Sequence, residues 1–85
     1  MIWKIEWGAP AANDMRHLDH QVAQRVRNAL IRFAETGHGD MKRLRGPHEE
    51  WRLRVGSWRV RLTLHRSTET MEILRVLPRG SAYRD

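Results

Sequence analysis

The sequence of 85 residues contains no cysteine, which excludes disulfide bonds and thiolate metal sites. At this length residues 1–85 form one small domain with a single core. No apolar run approaches the ~20 residues that a membrane span needs, and the N-terminus lacks the basic-then-apolar pattern of a signal peptide. We therefore expect a cytoplasmic protein.

Acidic residues are scarce. The chain has 16 Lys and Arg against 10 Asp and Glu, a net charge of +6 and an isoelectric point near 11.3. Residues 52–66 contain no acidic residue at all, although ordinary surfaces intersperse both signs. This balance predicts an acidic partner, which is a nucleic acid, an anionic membrane or an acidic protein.

Residues 51–64 alternate large apolar side chains with cationic or polar ones, a period of two that is typical of a half-buried strand. Gly56-Ser57 interrupts the alternation and predicts a two-residue hairpin turn, because glycine accepts the positive φ that such a turn requires. In the resulting ladder one face is apolar and the other carries four guanidinium groups in a two-by-two array, with Arg54 facing Arg59 and Arg52 facing Arg61.

Like charges directly opposite each other destabilise a ladder by up to ~1 kcal/mol per pair. Folding alone therefore gives no reason for the arginine array, whereas a polyanion that binds this face supplies one. The alternative is a solvated outer face on which the arginine stems lie over the sheet.

The rest of the chain predicts one further strand before the hairpin, two helices and one strand after it. Residues 1–7 alternate as a strand with Trp3, Ile5 and Trp7 inward, and residues 10–18 form a short helix. Asp19 caps a second helix that ends at Gly37. Residues 38–50 are predicted to be loop, with an irregular strand or a helical turn at residues 41–45. Residues 71–77 form the last strand.

This order of elements predicts an α+β fold. An N-terminal strand and a two-helix antiparallel hairpin precede a three-stranded antiparallel meander, and the helices pack on one face of the sheet. The arginine array lies on the opposite face.

Three segments together resemble the toxins of the RelE/ParE superfamily. They are KRLRG at residues 42–46, WRLRVGSWRV at residues 51–60, and Arg79 followed four residues later by Tyr83. The family shows corresponding motifs in the same order and spacing, and the resemblance covers almost the whole chain.

The resemblance implies a toxin of a bacterial type II toxin–antitoxin system that a cognate antitoxin neutralises. RelE-type members cut mRNA in the ribosomal decoding site, so the ribosome and mRNA are the expected targets. ParE-type members instead poison DNA gyrase. No cofactor and no membrane partner is expected. A basic nucleic-acid-binding domain without toxicity is a further alternative.

RNA cleavage by a 2′-hydroxyl needs a proton acceptor, positive charge on the pentacovalent phosphate and a proton donor. Arg59 and Arg79 are the charge-stabilising candidates, and because arginine stays protonated at neutral pH it is a poor general base. Tyr83 is the proton-transfer candidate, and the alternative is an aromatic packed on the sheet edge. The RNA backbone would be positioned by Lys42, Arg45, Arg52, Arg54 and Arg61.

His65 continues the polar alternation of the hairpin, so it is either a second acid–base candidate or an exposed histidine at a strand end. The other histidines show no ligand spacing, and no metal is expected. Many nuclease-type relatives carry His or Lys immediately before the late arginine. This chain has Pro78 there, which offers no side-chain proton and favours the gyrase alternative.

Overall fold

The computed structural model describes residues 2–81. Its elements are β1 (Lys4–Trp7), α1 (Ala9–Arg16), α2 (His20–Thr36), β2 (Asp40–Arg43), β3 (Glu50–Val55), β4 (Trp58–His65), β5 (Thr70–Pro78) and a 3₁₀ turn at Arg79–Ser81. Within this part of the chain the strands form one sheet in the order β1-β5-β4-β3-β2. Strand β1 runs parallel to β5, and the other pairs are antiparallel. The predicted α+β fold is confirmed, and β2 extends the predicted meander.

Both predicted caps of α2 are confirmed. The Asp19 side chain accepts a hydrogen bond from the Gln21 N–H at 3.0 Å. At the other end Gly37 is left-handed, with a φ of 76°, and its N–H donates to the Phe33 carbonyl. Helix α1 ends at Arg16, earlier than predicted. Among residues 2–81, neither helix has the length and apolar character that crossing a membrane requires.

The hydrophobic core lies between the helices and one face of the sheet. Helices α1 and α2 contribute Ala11, Val26, Leu30 and Ala34, and the strands contribute Leu53, Val60, Leu62, Leu64, Met71, Ile73 and Val76. Trp3 is buried as predicted, but the prediction for Trp7 is wrong, because 37% of this residue is exposed. Trp7 is the last residue of an edge strand, where the sheet offers a neighbour on one side only.

The segment before the hairpin contains a strand. Residues Asp40–Arg43 pair antiparallel with β3, and Lys42 lies opposite Arg52. The structure thus selects the strand from the two alternatives at residues 41–45 and starts it one residue earlier. Four mostly charged residues at a sheet edge have too short a pattern to identify a strand from sequence.

Helix α1 replaces a missing strand at the edge of β5. Strand β1 ends opposite Ile73, so beyond this residue another group must satisfy the edge of β5. The Asp14 carboxylate accepts hydrogen bonds from the Val76 N–H at 2.9 Å and from Arg75 Nε at 2.8 Å. Burial alone would raise the pKa of Asp14. The hydrogen bonds from Arg75 and Val76, together with the charge of Arg75, outweigh this effect, so the pKa lies below the ordinary value of 3.8.

We expect Asp14→Asn to lower the free energy of unfolding at pH 7 by about 1 to 3 kcal/mol, the range for a hydrogen bond to a charged group. Because folding depresses this pKa, the charged carboxylate stabilises the fold above about pH 4, and this stabilisation is lost as the pH falls through the depressed value. Urea unfolding at pH 7 and at pH 2.5 should therefore show a difference between the two proteins that narrows in acid. The exposed control Glu35→Gln should change stability by less than about 0.5 kcal/mol at either pH.

Candidate nucleic-acid interface

The hairpin of β3 and β4 has the register that the sequence predicted. Val55 pairs with Trp58 across the turn, and Gly56 has a φ of 59°, as the first residue of such a turn requires. Leu53 and Val60 point into the core. Because side chains alternate along a strand, the chain neighbours of Leu53 and Val60 lie on the open face of the sheet. There Arg54 is opposite Arg59, and Arg52 is opposite Arg61.

An open pocket of about 450 Å³ lies at the turn end of this face, and its lining is strongly basic. It is lined by Arg52, Arg54, Arg59, Arg79 and Gly80. Three of these arginines come from the hairpin, and the fourth follows β5. The structure thus gathers a different set of four arginines from the predicted array, with Arg79 included and Arg61 left out.

Arg59 is held firmly at the base of this pocket. Only 7% of the residue is exposed, and it lies between Arg54 on β3 and Leu77 on β5. Its Nη1 donates to the backbone carbonyls of Gly56 and Trp58, both at 2.9 Å. A guanidinium has five N–H donors. The turn carbonyls therefore fix the orientation of Arg59 while other donors of the group are left for an anion.

Arg52 lines the pocket and has one unsatisfied donor of its own. Its Nε is buried and has no hydrogen-bond partner among the described residues. Asp40 lies nearby, with carboxylate oxygens 3.5 Å from Arg52 Nη1 and 3.7 Å from Arg54 Nε. More than half of the Asp40 side chain is exposed, and pairs of this kind in water contribute little. Asp40 therefore leaves the four arginines of the pocket with an excess of positive charge.

Arg79 reaches the pocket because β5 ends beside the hairpin turn. Pro78 pairs with Trp58, and the Arg79 N–H donates to the Ser57 carbonyl at 2.9 Å. The 3₁₀ turn that starts at Arg79 then places Gly80 in the pocket lining. Two segments that are distant in sequence, the hairpin and the end of β5, thus meet at the pocket.

Three predicted RNA-binding residues lie outside the pocket lining. Arg61 is paired with Glu50. Lys42 lies on β2, exposed and opposite Arg52, and Arg45 lies in the link between β2 and β3. Their assignment to RNA binding stays a prediction.

The structure does not bring His65 to the pocket. His65 ends β4, six residues from Arg59 and so about 20 Å away along the strand, and its Nε2 lies 2.8 Å from Glu72 Oε1. Tyr83 lies outside the described residues, and its role in proton transfer stays a prediction. Among residues 2–81 no cluster of three His, Asp or Glu side chains offers a metal site.

Sequence reasoning missed two residues of this region. Asp40 was part of a predicted loop, and its place beside two arginines follows only from the pairing of β2 with β3. Gly80 gave no signal apart from its position after Arg79. In the acidic pair Glu49-Glu50 each member pairs with an arginine of the hairpin region, Glu50 with Arg61 and Glu49 with Arg66.

A second concavity of about 360 Å³ lies between the end of α2 and the sheet, and it is mostly apolar. Its lining is Trp3, Phe33, Thr36, Gly37, Met41, Trp51, Leu64 and Arg66. Arg66 is already bound to Glu49, and its hydrogen bond lowers the pKa of that carboxyl group. This groove suits apolar side chains, so the arginine pocket is the better site for a polyanion.

A mixed five-stranded sheet with two helices on one face also characterises several solved toxins. The RelE chain of the archaeal RelE–RelB complex from Pyrococcus horikoshii OT3 superposes with a TM-score of 0.80 at 19% identity, over 96% of this chain and 100% of that chain. The toxin–antitoxin complex RelBE2 from Mycobacterium tuberculosis contains a chain that superposes with a TM-score of 0.81 at 20% identity, over 94% of this chain and 95% of that chain. The isolated E. coli RelE toxin superposes with a TM-score of 0.75 at 14% identity, over 89% of this chain and 83% of that chain. These likenesses establish a RelE-like fold.

The family described as the ParE toxin of the type II toxin–antitoxin system parDE matches residues 5–83. The chain therefore belongs to this family and is a toxin of a type II toxin–antitoxin system, which confirms the predicted RelE/ParE superfamily membership. No curated protein matches it significantly in sequence.

Proposed function

We propose that this toxin is a ribosome-dependent mRNA endoribonuclease that inhibits translation. The observation that carries the proposal is the arginine pocket, in which Arg52, Arg54 and the nearly buried Arg59 of the hairpin meet Arg79 from the end of the sheet. Such a site fits a phosphate in a chain, because guanidinium groups bind two phosphate oxygens at once and stay charged at every physiological pH.

The reaction that suits this site is attack of a ribose 2′-oxygen on the adjacent phosphorus. The 2′-hydroxyl loses its proton, the bond from phosphorus to the 5′-oxygen breaks, and that oxygen takes up a proton. The products are a 2′,3′-cyclic phosphate and a 5′-hydroxyl. Arg59 and Arg79 stabilise the charge that builds on the phosphoryl oxygens in the transition state, while Arg52 and Arg54 hold the backbone.

Proton transfer is assigned to Tyr83, because arginine does not titrate and Pro78 has no titratable side chain. In this scheme Tyr83 in its tyrosinate form accepts the 2′ proton and then, as the phenol, donates a proton to the departing 5′-oxygen. Neither proton transfer nor the reaction needs a metal ion in this scheme.

Purified toxin added to translating ribosomes should cut the bound mRNA, and primer extension would locate the cut. The fragments should end in a 2′,3′-cyclic phosphate, which resists phosphatase until acid opens the ring. Intact mRNA after long incubation with folded toxin would refute the proposal.

A second candidate is a DNA gyrase inhibitor that has no nuclease activity. The ParE family match and the proline at position 78 favour it, because a binding protein needs no acid–base pair. Purified gyrase treated with the toxin would then accumulate cleaved DNA and lose supercoiling activity. Normal supercoiling at excess toxin would exclude this candidate.

We further propose that a cognate antitoxin neutralises the chain. The net charge of +6 calls for an acidic partner segment, and the RelE chains compared above come from complexes with antitoxins. Expression of the chain alone should stop bacterial growth, and co-expression of the adjacent reading frame should restore it. Healthy growth with the chain alone, at a confirmed protein level, would contradict this prediction.

A further inference from the structure

Arg61 is the cation of the hairpin that the pocket leaves out. It lies on the open face of β4 opposite Arg52, yet its Nε donates to Glu50 Oε2 at 2.5 Å and its Nη2 contacts the same oxygen. The side chains of Arg61 and Glu50 are only 23% and 22% exposed. Glu50 therefore neutralises this arginine in a place that is largely shielded from water.

An ion pair in such a place depends on both partners. Shielding from water costs each charge its hydration, and the loss of one partner leaves the other uncompensated. Without Glu50 the Arg61 guanidinium would require another anion. The Glu50 carboxylate thus occupies the position in which an external anion would otherwise bind.

Arg61 is also well placed relative to the pocket. Arg59 and Arg61 lie on the same face of β4, and two residues along a strand place their Cα atoms about 6.6 Å apart. Successive phosphates of an extended single nucleic-acid strand are separated by a comparable length. A strand with one phosphate in the pocket that runs along β4 therefore carries its next phosphate past Arg61.

We propose that Arg61 forms a second phosphate subsite and that Glu50 keeps this subsite closed until an RNA strand anchored in the pocket displaces its carboxylate. The inference rests on the proposed function, because it assumes RNA in the arginine pocket. A single phosphate fills the pocket without reaching Glu50, whereas a strand competes with it. Glu50 therefore weakens the binding of strands and leaves the binding of isolated phosphates or mononucleotides unchanged.

The test compares two ligands on the purified full chain. One is inorganic phosphate, and the other is a short single-stranded RNA with 2′-O-methyl groups, which cannot be cleaved. Glu50→Gln should bind the oligonucleotide about tenfold more tightly, a typical value for one charge-assisted contact, and bind phosphate within twofold of wild type. The slope of log affinity against log salt should steepen by about 0.7, the value for one more phosphate of a single strand.

Glu49→Gln is the matched control, because it removes the same charge one residue away. Glu49 binds Arg66 and the Trp51 indole instead of Arg61, so this variant should leave oligonucleotide affinity within twofold of wild type. The double variant Glu50→Gln with Arg61→Gln places two neutral amides in the pair. It should return affinity and salt slope to wild-type values, and it provides a second reading if Glu50→Gln alone does not fold.

Equal gains with Glu49→Gln and Glu50→Gln would show that only net charge matters and would overturn the proposal. An unchanged oligonucleotide affinity in Glu50→Gln, or an equal gain for inorganic phosphate, would also overturn it. A toxin that cuts mRNA but shows no Glu50 effect refutes the subsite alone. A toxin with the Glu50 effect but no cleavage refutes the nuclease alone, and one that neither cuts mRNA on ribosomes nor binds the oligonucleotide refutes both.

Discussion

Arg59→Ala is expected to lower the rate of mRNA cleavage by about 10²- to 10³-fold, the usual effect of removing one group that stabilises transition-state charge. Arg59 is the most buried arginine of the pocket, and two carbonyl groups of the turn accept hydrogen bonds from its Nη1. Alanine removes both the charge and these two bonds. Single-turnover cleavage of ribosome-bound mRNA measures the loss directly.

Arg59→Lys separates the contribution of the positive charge from that of the guanidinium geometry. Lysine keeps the charge but cannot hold two phosphate oxygens in the planar geometry of a guanidinium, so cleavage should remain at least tenfold below wild type. Arg25→Ala is the matched control, since Arg25 is an exposed arginine on α2. Thermal melts confirm that each variant is folded. Wild-type cleavage by folded Arg59→Ala would remove the pocket from the mechanism.

Leu62→Ala is expected to destabilise the protein by about 2 to 5 kcal/mol, as other truncations of buried leucines do. Leu62 is fully buried in β4, directly after the irregularity in its pairing with β5. A small domain has a total stability of about 5 to 15 kcal/mol, so the melting temperature should fall by at least about 8 °C.

The same truncation at Ile31 provides the control, because 46% of Ile31 is exposed. Ile31→Ala should change the melting temperature by only a few degrees. Expression of Leu62→Ala should also be less toxic although every arginine is retained. An unchanged melting temperature would mean that the sheet does not depend on the core beneath its central strand.

Strong local patterns made much of the fold predictable. The alternation at residues 51–64 and the Gly56 turn gave the register of the hairpin to the residue, and Asp19 and Gly37 gave both ends of α2. Strand β2 could not be identified from the sequence, because its pattern is short and charged. The parallel pairing of β1 with β5 could not be predicted either, because nothing local to either strand specifies a distant partner.

The site was less predictable than the fold. Pattern alone indicated that the hairpin arginines share a face, and the resemblance added Arg79. Which arginine Glu50 neutralises depends on the cross-strand packing of side chains, and the convergence of Arg79 with the hairpin turn depends on where β5 ends. Both are tertiary facts, and no spacing in the sequence encodes them.

The pairing of β1 with β5 brings together two distant parts of the chain, since Lys4 lies opposite Thr70. During synthesis the first strand must wait for its partner until both helices and three other strands have been made, and such long-range pairings are slow to form. Arg79 follows β5 and is made later still. The four arginines of the pocket therefore come together only after β5 has joined the sheet.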